Sequence, residues 1–141
     1  SEETYVKRLN TTIEVFLRPM REAAILTAAE LDSQFGQIEL IHELHSTLLA
    51  EMKSYDTKDI RIGKVFKSFS FYLKMYKQYL SCYESAMVKR AKLIVKNRRF
   101  AEFLDAARSN PLCCGMTFDS FLVEPVQRVP RYRLLLEELL M

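Results

Sequence analysis

Two histidines, three cysteines and one run of lysines are the residues of this 141-residue chain whose spacing could support familiar chemistry. His42 and His45 stand three apart in His42-Glu43-Leu44-His45, one residue short of the spacing that sets two zinc ligands and a glutamate base on one helix. They read as core or interface histidines. Cys113 and Cys114 are adjacent and Cys82 stands alone, which fits neither a disulfide framework nor a metal knuckle. Reduced cysteines that pack or stand by are expected, in a cytoplasmic setting. Gly36, Gly63 and Gly115 are isolated, and none leads into the Lys-Ser/Thr of a phosphate loop. No Gly-x-Ser-x-Gly elbow presents a nucleophile. Covalent catalysis on a small molecule, nucleotide binding by the chain itself and a resident cofactor or metal are therefore not expected. Lys89, Lys92, Lys96 and Arg99 form a basic stripe that reads first as a solvated face, and second as a contact for phosphoinositide or nucleic acid.

The elements that must position these residues follow from composition and period. Hydrophobic residues make up 49% and charged residues 28%, the balance of one globular domain. Twenty-one basic against 18 acidic residues leave a net charge of +3, too even for the electrostatic footprint of a nucleic-acid binder. Three glycines and four prolines are too few for the turns of an all-β domain, so the fold class is all-α. No apolar run approaches the ~20 residues that a bilayer span needs.

Helical spacing predicts a first helix from Glu2 to about Ala24, buried along Tyr5, Val6, Leu9, Ile13, Phe16, Leu17 and Met20 and bent near Pro19. A second is predicted over Ala28 to Met52, followed by a polar loop over residues 53–59. A third runs over Ile60 to Tyr79 on a stripe of Ile62, Val65, Phe66, Phe69, Leu73, Tyr76 and Leu80. A fourth covers Ser81 to Lys96 and a short fifth Phe100 to Ala107. Asn110-Pro111 and Gly115 break the chain. The last helix starts near Thr117 and carries Phe118, Leu122, Pro125, Val129, Tyr132, Leu136 and Leu140 along one stripe that must face a core. The architecture expected is an elongated, irregular helical bundle. Its last helix turns Ser120, Glu124, Gln127 and Arg131 to the opposite side, with Leu134 and Leu135 further along, and such a mixed face suits a protein partner.

Two prolines inside that helix, each costing about 3 kcal/mol unless packing absorbs the bend, are not explained by helix propensity. The segment Pro125-Val126-Gln127-Arg128-Val129-Pro130-Arg131-Tyr132-Arg133-Leu134-Leu135-Leu136 resembles the signature helix of the Dbl homology (DH) domain, the exchange module of Rho-family guanine nucleotide exchange factors. Glu2-Glu3-Thr4-Tyr5-Val6-x-x-Leu9 resembles that family's first conserved region, and Phe35-Gly36-x-Ile38-x-x-Ile41-x-x-x-His45 its second helix. Ile62-Gly63-x-Val65-Phe66, Tyr76-x-x-Tyr79 and Asn97-x-x-Phe100 follow in the family's order, so the resemblance covers the whole chain.

The resemblance implies a protein that promotes GDP release from a Rho-family small GTPase (Rho, Rac or related) without covalent chemistry or a cofactor of its own. It implies GTPase contacts at Glu2, Ser120, Glu124, Gln127, Arg128, Arg131 and Leu135, with Glu2 on switch I and the signature helix near switch II. It also implies a neighbouring pleckstrin homology domain and further helices after Met141, so that residues 1–141 read as a DH domain incomplete at its C-terminus. Glu2 shares a helical sector with Leu9, Ile13 and Met20, so its carboxylate extends an apolar stripe; its plain role there is to offset the helix N-terminus. One departure stands out. Many family members carry Lys before the signature proline, and this chain has Glu124. A charge reversal there selects other partners or weakens exchange. The alternative reading is an exchange-deficient helical scaffold that binds a GTPase or another protein without catalysing exchange.

Overall fold

A computed structural model describes the backbone at residues 2–54 and 61–140 and the side chains at 2–50 and 76–131. The first helix departs from regular α geometry just before Pro19, where its sequence predicts a bend. Its α1 portion (Glu2–Thr11) widens into a π-helical stretch (Thr12–Leu17) and continues as α2 (Arg18–Glu22). Pro19, which has no N–H to give and a ring that crowds the preceding turn, falls in the first turn of α2, where its amide is not needed. The Arg18 N–H reaches back five residues to the Ile13 carbonyl, so the wide turn hands the ladder over. Thr11 and Thr12 add bends by donating to the carbonyls of Lys7 and Arg8. The extra residue broadens the buried face, so that Thr11, Thr12, Ile13, Val15, Phe16 and Leu17 are all inside.

The helix expected over 28–52 is two helices, α3 (Ala28–Phe35) and α4 (Ile38–Ser54). Thr27 opens α3 with a capping box closed by Glu30. Gly36 ends it at φ +53, a conformation side chains rarely adopt, and the apolar period simply resumes at Ile38, which hides the break from pattern reading. Conversely, the third and fourth predicted helices are one, α5 (Arg61–Lys96), 36 residues long. Between Tyr79 and Ser81 stands neither glycine nor proline, and Ser81 turns its hydroxyl back to the Gln78 carbonyl without stopping the helix. The predicted stripe residues Ile62, Val65, Phe66, Phe69 and Leu73 lie outside the described side chains, while Tyr76 is buried and Leu80 half-buried.

Helix α6 (Arg98–Ala107) begins two residues before the predicted start because Asn97 caps it, its Oδ1 accepting the Phe100 N–H. A 3₁₀ turn at Pro111–Cys113 follows, with Cys114 at φ 50 and Gly115 at φ 79 reversing the chain into α7 (Phe118–Leu140). Cys113 is buried, and burial pushes its thiol up; Cys82 and Cys114 are exposed and all three are free. Helix α7 runs through Pro125 and Pro130 unbroken. The Tyr79 hydroxyl donates to the Leu122 carbonyl and ties α5 to α7 one turn before Pro125.

The core lies where the bent first helix meets α4, α5 and α7. Phe16 sits 4.8 Å from Phe118 and 5.7 Å from Phe121, ring centre to ring centre, and Phe35 packs edge-on to Phe118 at 5.5 Å. The predicted α7 stripe is inward at Phe118, Leu122 and Pro125 and half-buried at Val129; Tyr132, Leu136 and Leu140 lie outside the described side chains. Among the described residues every regular element is helical, and none is long and apolar enough to cross a membrane.

Candidate functional site

The site begins with a buried charge. Glu2 is 9% exposed in the first turn of α1, where the helix dipole favours a carboxylate but burial penalises it. Two neighbours offset that penalty. Arg128 on α7 donates from Nη2 to Glu2 Oε2 at 2.8 Å, and His45 on α4 meets Glu2 Oε1 through Nδ1 at 2.6 Å. One carboxylate thus joins three helices.

The network continues inward from His45. Its Nε2 bonds the Tyr76 hydroxyl, which lies 2.9 Å from the Tyr5 hydroxyl. With the imidazole neutral, proton inventory sets the directions: Glu2 accepts, so His45 Nδ1–H donates, Nε2 accepts from Tyr76, and Tyr76 accepts from Tyr5. This pattern needs a neutral imidazole. Burial of the His45 ring holds it below the usual histidine range, against the pull of the Glu2 hydrogen bond, and the neutral form is favoured. Rings reinforce the polar chain: Tyr5 stands edge-on to His45 at 4.8 Å, and the Arg128 guanidinium lies 5.0 Å over the Tyr5 ring. Burial also raises the Tyr5 hydroxyl, so it stays a donor at neutral pH.

Above this network, α1 and α7 border an open cleft of about 340 Å³ lined by Thr4, Tyr5, Arg8, Glu124, Gln127, Arg128 and Arg131. Spacing on α7 explains the lining. Positions 124, 127 and 131 share one side at 100° per residue, while 128 falls at its edge toward α1 and so turns to Glu2. Gln127 and Arg131 are exposed. Glu124 is held by Arg8 at 2.8 Å, an ion pair that bridges the two helices across the cleft. Among the described residues no group of histidines, cysteines and carboxylates could hold a metal ion.

Four of the seven sequence-selected residues, Glu124, Gln127, Arg128 and Arg131, therefore meet in one cleft, with Glu2 directly beneath through Arg128. Ser120 stands apart in the first turn of α7, where its amide and hydroxyl both bond Thr117. The Leu135 side chain lies outside the described residues. Sequence reading missed Arg8 as the partner of Glu124, and the joint role of Tyr5, His45 and Tyr76. A signal existed for His45 and Arg128: a carboxylate on an apolar helix sector demands a buried donor, and both residues lie within the family-like motifs.

Known proteins are similar to this chain along its length. The RhoGEF domain family matches residues 1–141. Myosin-M heavy chain of Dictyostelium discoideum is 36% identical over 98% of the chain, which spans 8% of that protein's length. FYVE, RhoGEF and PH domain-containing protein 3 of Homo sapiens is 32% identical over 99% of the chain, which spans 20% of its length. The apo structure of the activated truncation of Vav1 superposes with a TM-score of 0.89 at 26% identity, covering 98% of this chain and 36% of that one. With the motif order, the bent first helix packed on the proline-bearing last one, and a family match over every residue, this chain belongs to the RhoGEF (Dbl homology) domain family.

Proposed function

We propose that the domain promotes GDP release from a Rho-family small GTPase, and that the GTPase docks across the α1–α7 seam. The observation that carries this reading is the cleft itself: the two helices bearing the family motifs place Arg8, Glu124, Gln127, Arg128 and Arg131 on one face, over a rigid base. Catalysis of this kind makes and breaks no covalent bond. A surface that binds the nucleotide-free GTPase more tightly than the loaded one weakens nucleotide binding by the same factor, because the two equilibria are linked. Opening of switch I by Glu2 and remodelling of switch II along Gln127 and Arg131 would disrupt the Mg²⁺ and phosphate site, and that Mg²⁺ belongs to the substrate. Ser120 and Leu135 extend the proposed contact to either end of α7.

Glu2 has both oxygens engaged, so contact with switch I requires Arg128 to release one of them toward the cleft. Its surroundings make that feasible, because the Arg128 guanidinium already lines the cleft wall. A panel of Rho, Rac and related GTPases loaded with fluorescent GDP tests the reading; no acceleration of release on any member by the protein overturns it. The non-catalytic scaffold is favoured by one observation, the internal pairing of Glu124 with Arg8 where a lysine is usual. GTPase binding without accelerated release, unchanged in Glu124→Lys, would select it.

A further inference from the structure

From residue 85 to residue 101 the chain has six basic residues and no acidic one. Two of the six are spoken for. Arg90 turns inward to Gln34 and Asp119, and Arg98 pairs with Glu102. Arg99 donates to the Ala23 carbonyl and keeps its charge. Lys89, Lys92 and Lys96 stand exposed on the last turns of α5 with no ion pair.

Beside these lysines lies an uncovered apolar strip. Val88 is 58% and Val95 85% exposed, with Met87 and Ile94 also out in solvent. Helical geometry places Met87, Val88, Ala91, Ile94 and Val95 in one continuous sector, Lys89, Lys92 and Lys96 in the next, and Ala86, Arg90 and Leu93 toward the core. Glu84, one turn before Val88 on α5, and Glu102, on α6, are the nearest acidic residues along the chain on either side. Four aliphatic side chains beside three unpaired ammonium groups, about 12 Å along one helix, form an interfacial pattern: the aliphatics enter the acyl boundary while the long lysine stems reach phosphate.

We infer that this face of α5 docks the domain on an anionic lipid bilayer, with Val88 and Val95 inserted and Lys89, Lys92 and Lys96 on the headgroups. Charge complementarity selects the occupant, since a surface of one sign fits neither a neutral bilayer nor a basic partner. Aliphatic rather than aromatic side chains argue against nucleic acid, which would want stacking platforms. The face lies on α5 and is lined by none of the residues of the α1–α7 cleft, so membrane contact and GTPase contact use separate surfaces.

The test is co-sedimentation of the 141-residue chain with vesicles of phosphatidylcholine alone or with about 30% phosphatidylserine. Binding is expected to the anionic vesicles only and to weaken with salt. Lys92→Gln/Lys96→Gln should lower the association constant about 30-fold, at the usual worth of a surface lysine near an anionic leaflet. Val88→Ser/Val95→Ser should lower it about tenfold with charge unchanged. Both variants should melt like the wild type, because the altered side chains are exposed. Absence of anionic-vesicle binding overturns the proposal. So does binding indifferent to the valine changes, which would mark a purely coulombic contact, or tighter binding to a single-stranded oligonucleotide or an acidic peptide than to the vesicles.

Discussion

Replacing Glu2 by Gln keeps the shape of the side chain and removes the charge on which three helices converge. Two bonds suffer. The amide offers one acceptor oxygen where the carboxylate offers two, so either Arg128 Nη2 or His45 Nδ1–H loses its partner. Arg128, nearly buried, also loses the carboxylate to which it donates. Breaking a fully buried ion pair from one side costs about 3–5 kcal/mol, and the residual exposure of this pair, with the Tyr5 ring beneath the guanidinium, lowers that to about 2–4 kcal/mol. For a domain of this size the expected fall in melting temperature is about 7–14 °C. Thermal and urea denaturation measure it, and a double-mutant cycle apportions it. Glu2→Gln, Arg128→Gln and the double variant should show a coupling of about 1.5–3 kcal/mol, because once Glu2 is neutral the second change no longer breaks the Glu2–Arg128 ion pair. Additive effects, or a loss from Glu2→Gln below about 0.5 kcal/mol, refute the reasoning and return Glu2 to a surface residue at a helix end.

Stability should also depend on pH through the same ring. Burial lowers His45 and His42 below the ordinary histidine value, so the unfolded chain binds more protons than the folded one as pH drops below about 6.5. Stability is then complete above that pH and declines as pH falls below it, and His45→Gln should flatten that decline in urea midpoints. At the cleft, Arg8→Glu or Glu124→Arg should change stability by less than about 1 kcal/mol, since the pair is partly exposed, yet weaken GTPase affinity measured by titration. The charge-swapped double variant should recover stability and not affinity; full recovery of affinity would show that the pair only braces the helices. Gly36→Ala should cost about 1–3 kcal/mol in urea unfolding with an unchanged slope. The cost comes from the backbone at φ +53 alone, since the added Cβ would stand 3.7 Å from Tyr79 Cδ2, an ordinary contact. A neutral effect would mean that the α3–α4 corner relaxes.

What pattern reading recovers here depends on whether the determining contact is local. The all-helical class, the bend near Pro19, the polar break before α7 and the inward stripe of Phe118, Leu122 and Pro125 all follow from residues within a turn or two of one another. The break at Gly36 escapes because the apolar period resumes after it, and Phe121, 1% exposed, escapes the predicted stripe because the bent first helix reaches round α7 to cover it through Phe16. The site divides in the same way. Glu124, Gln127 and Arg131 share a face by helical geometry alone, so they could be grouped before any fold was known. The Arg8–Glu124 pair joins residues 116 positions apart, and no local rule selects Arg8 over Lys7 or Arg18. That pair changes the meaning of the one departure from the family pattern. Read along the chain, Glu124 is a reversed charge offered to a partner; in the fold, Arg8 answers it, and the cation expected on α7 stands instead one helix away on the same rim of the same cleft. The face that a GTPase would meet carries Arg8, Arg128 and Arg131 around a neutralised carboxylate, so it keeps a basic character even with Glu124 on α7.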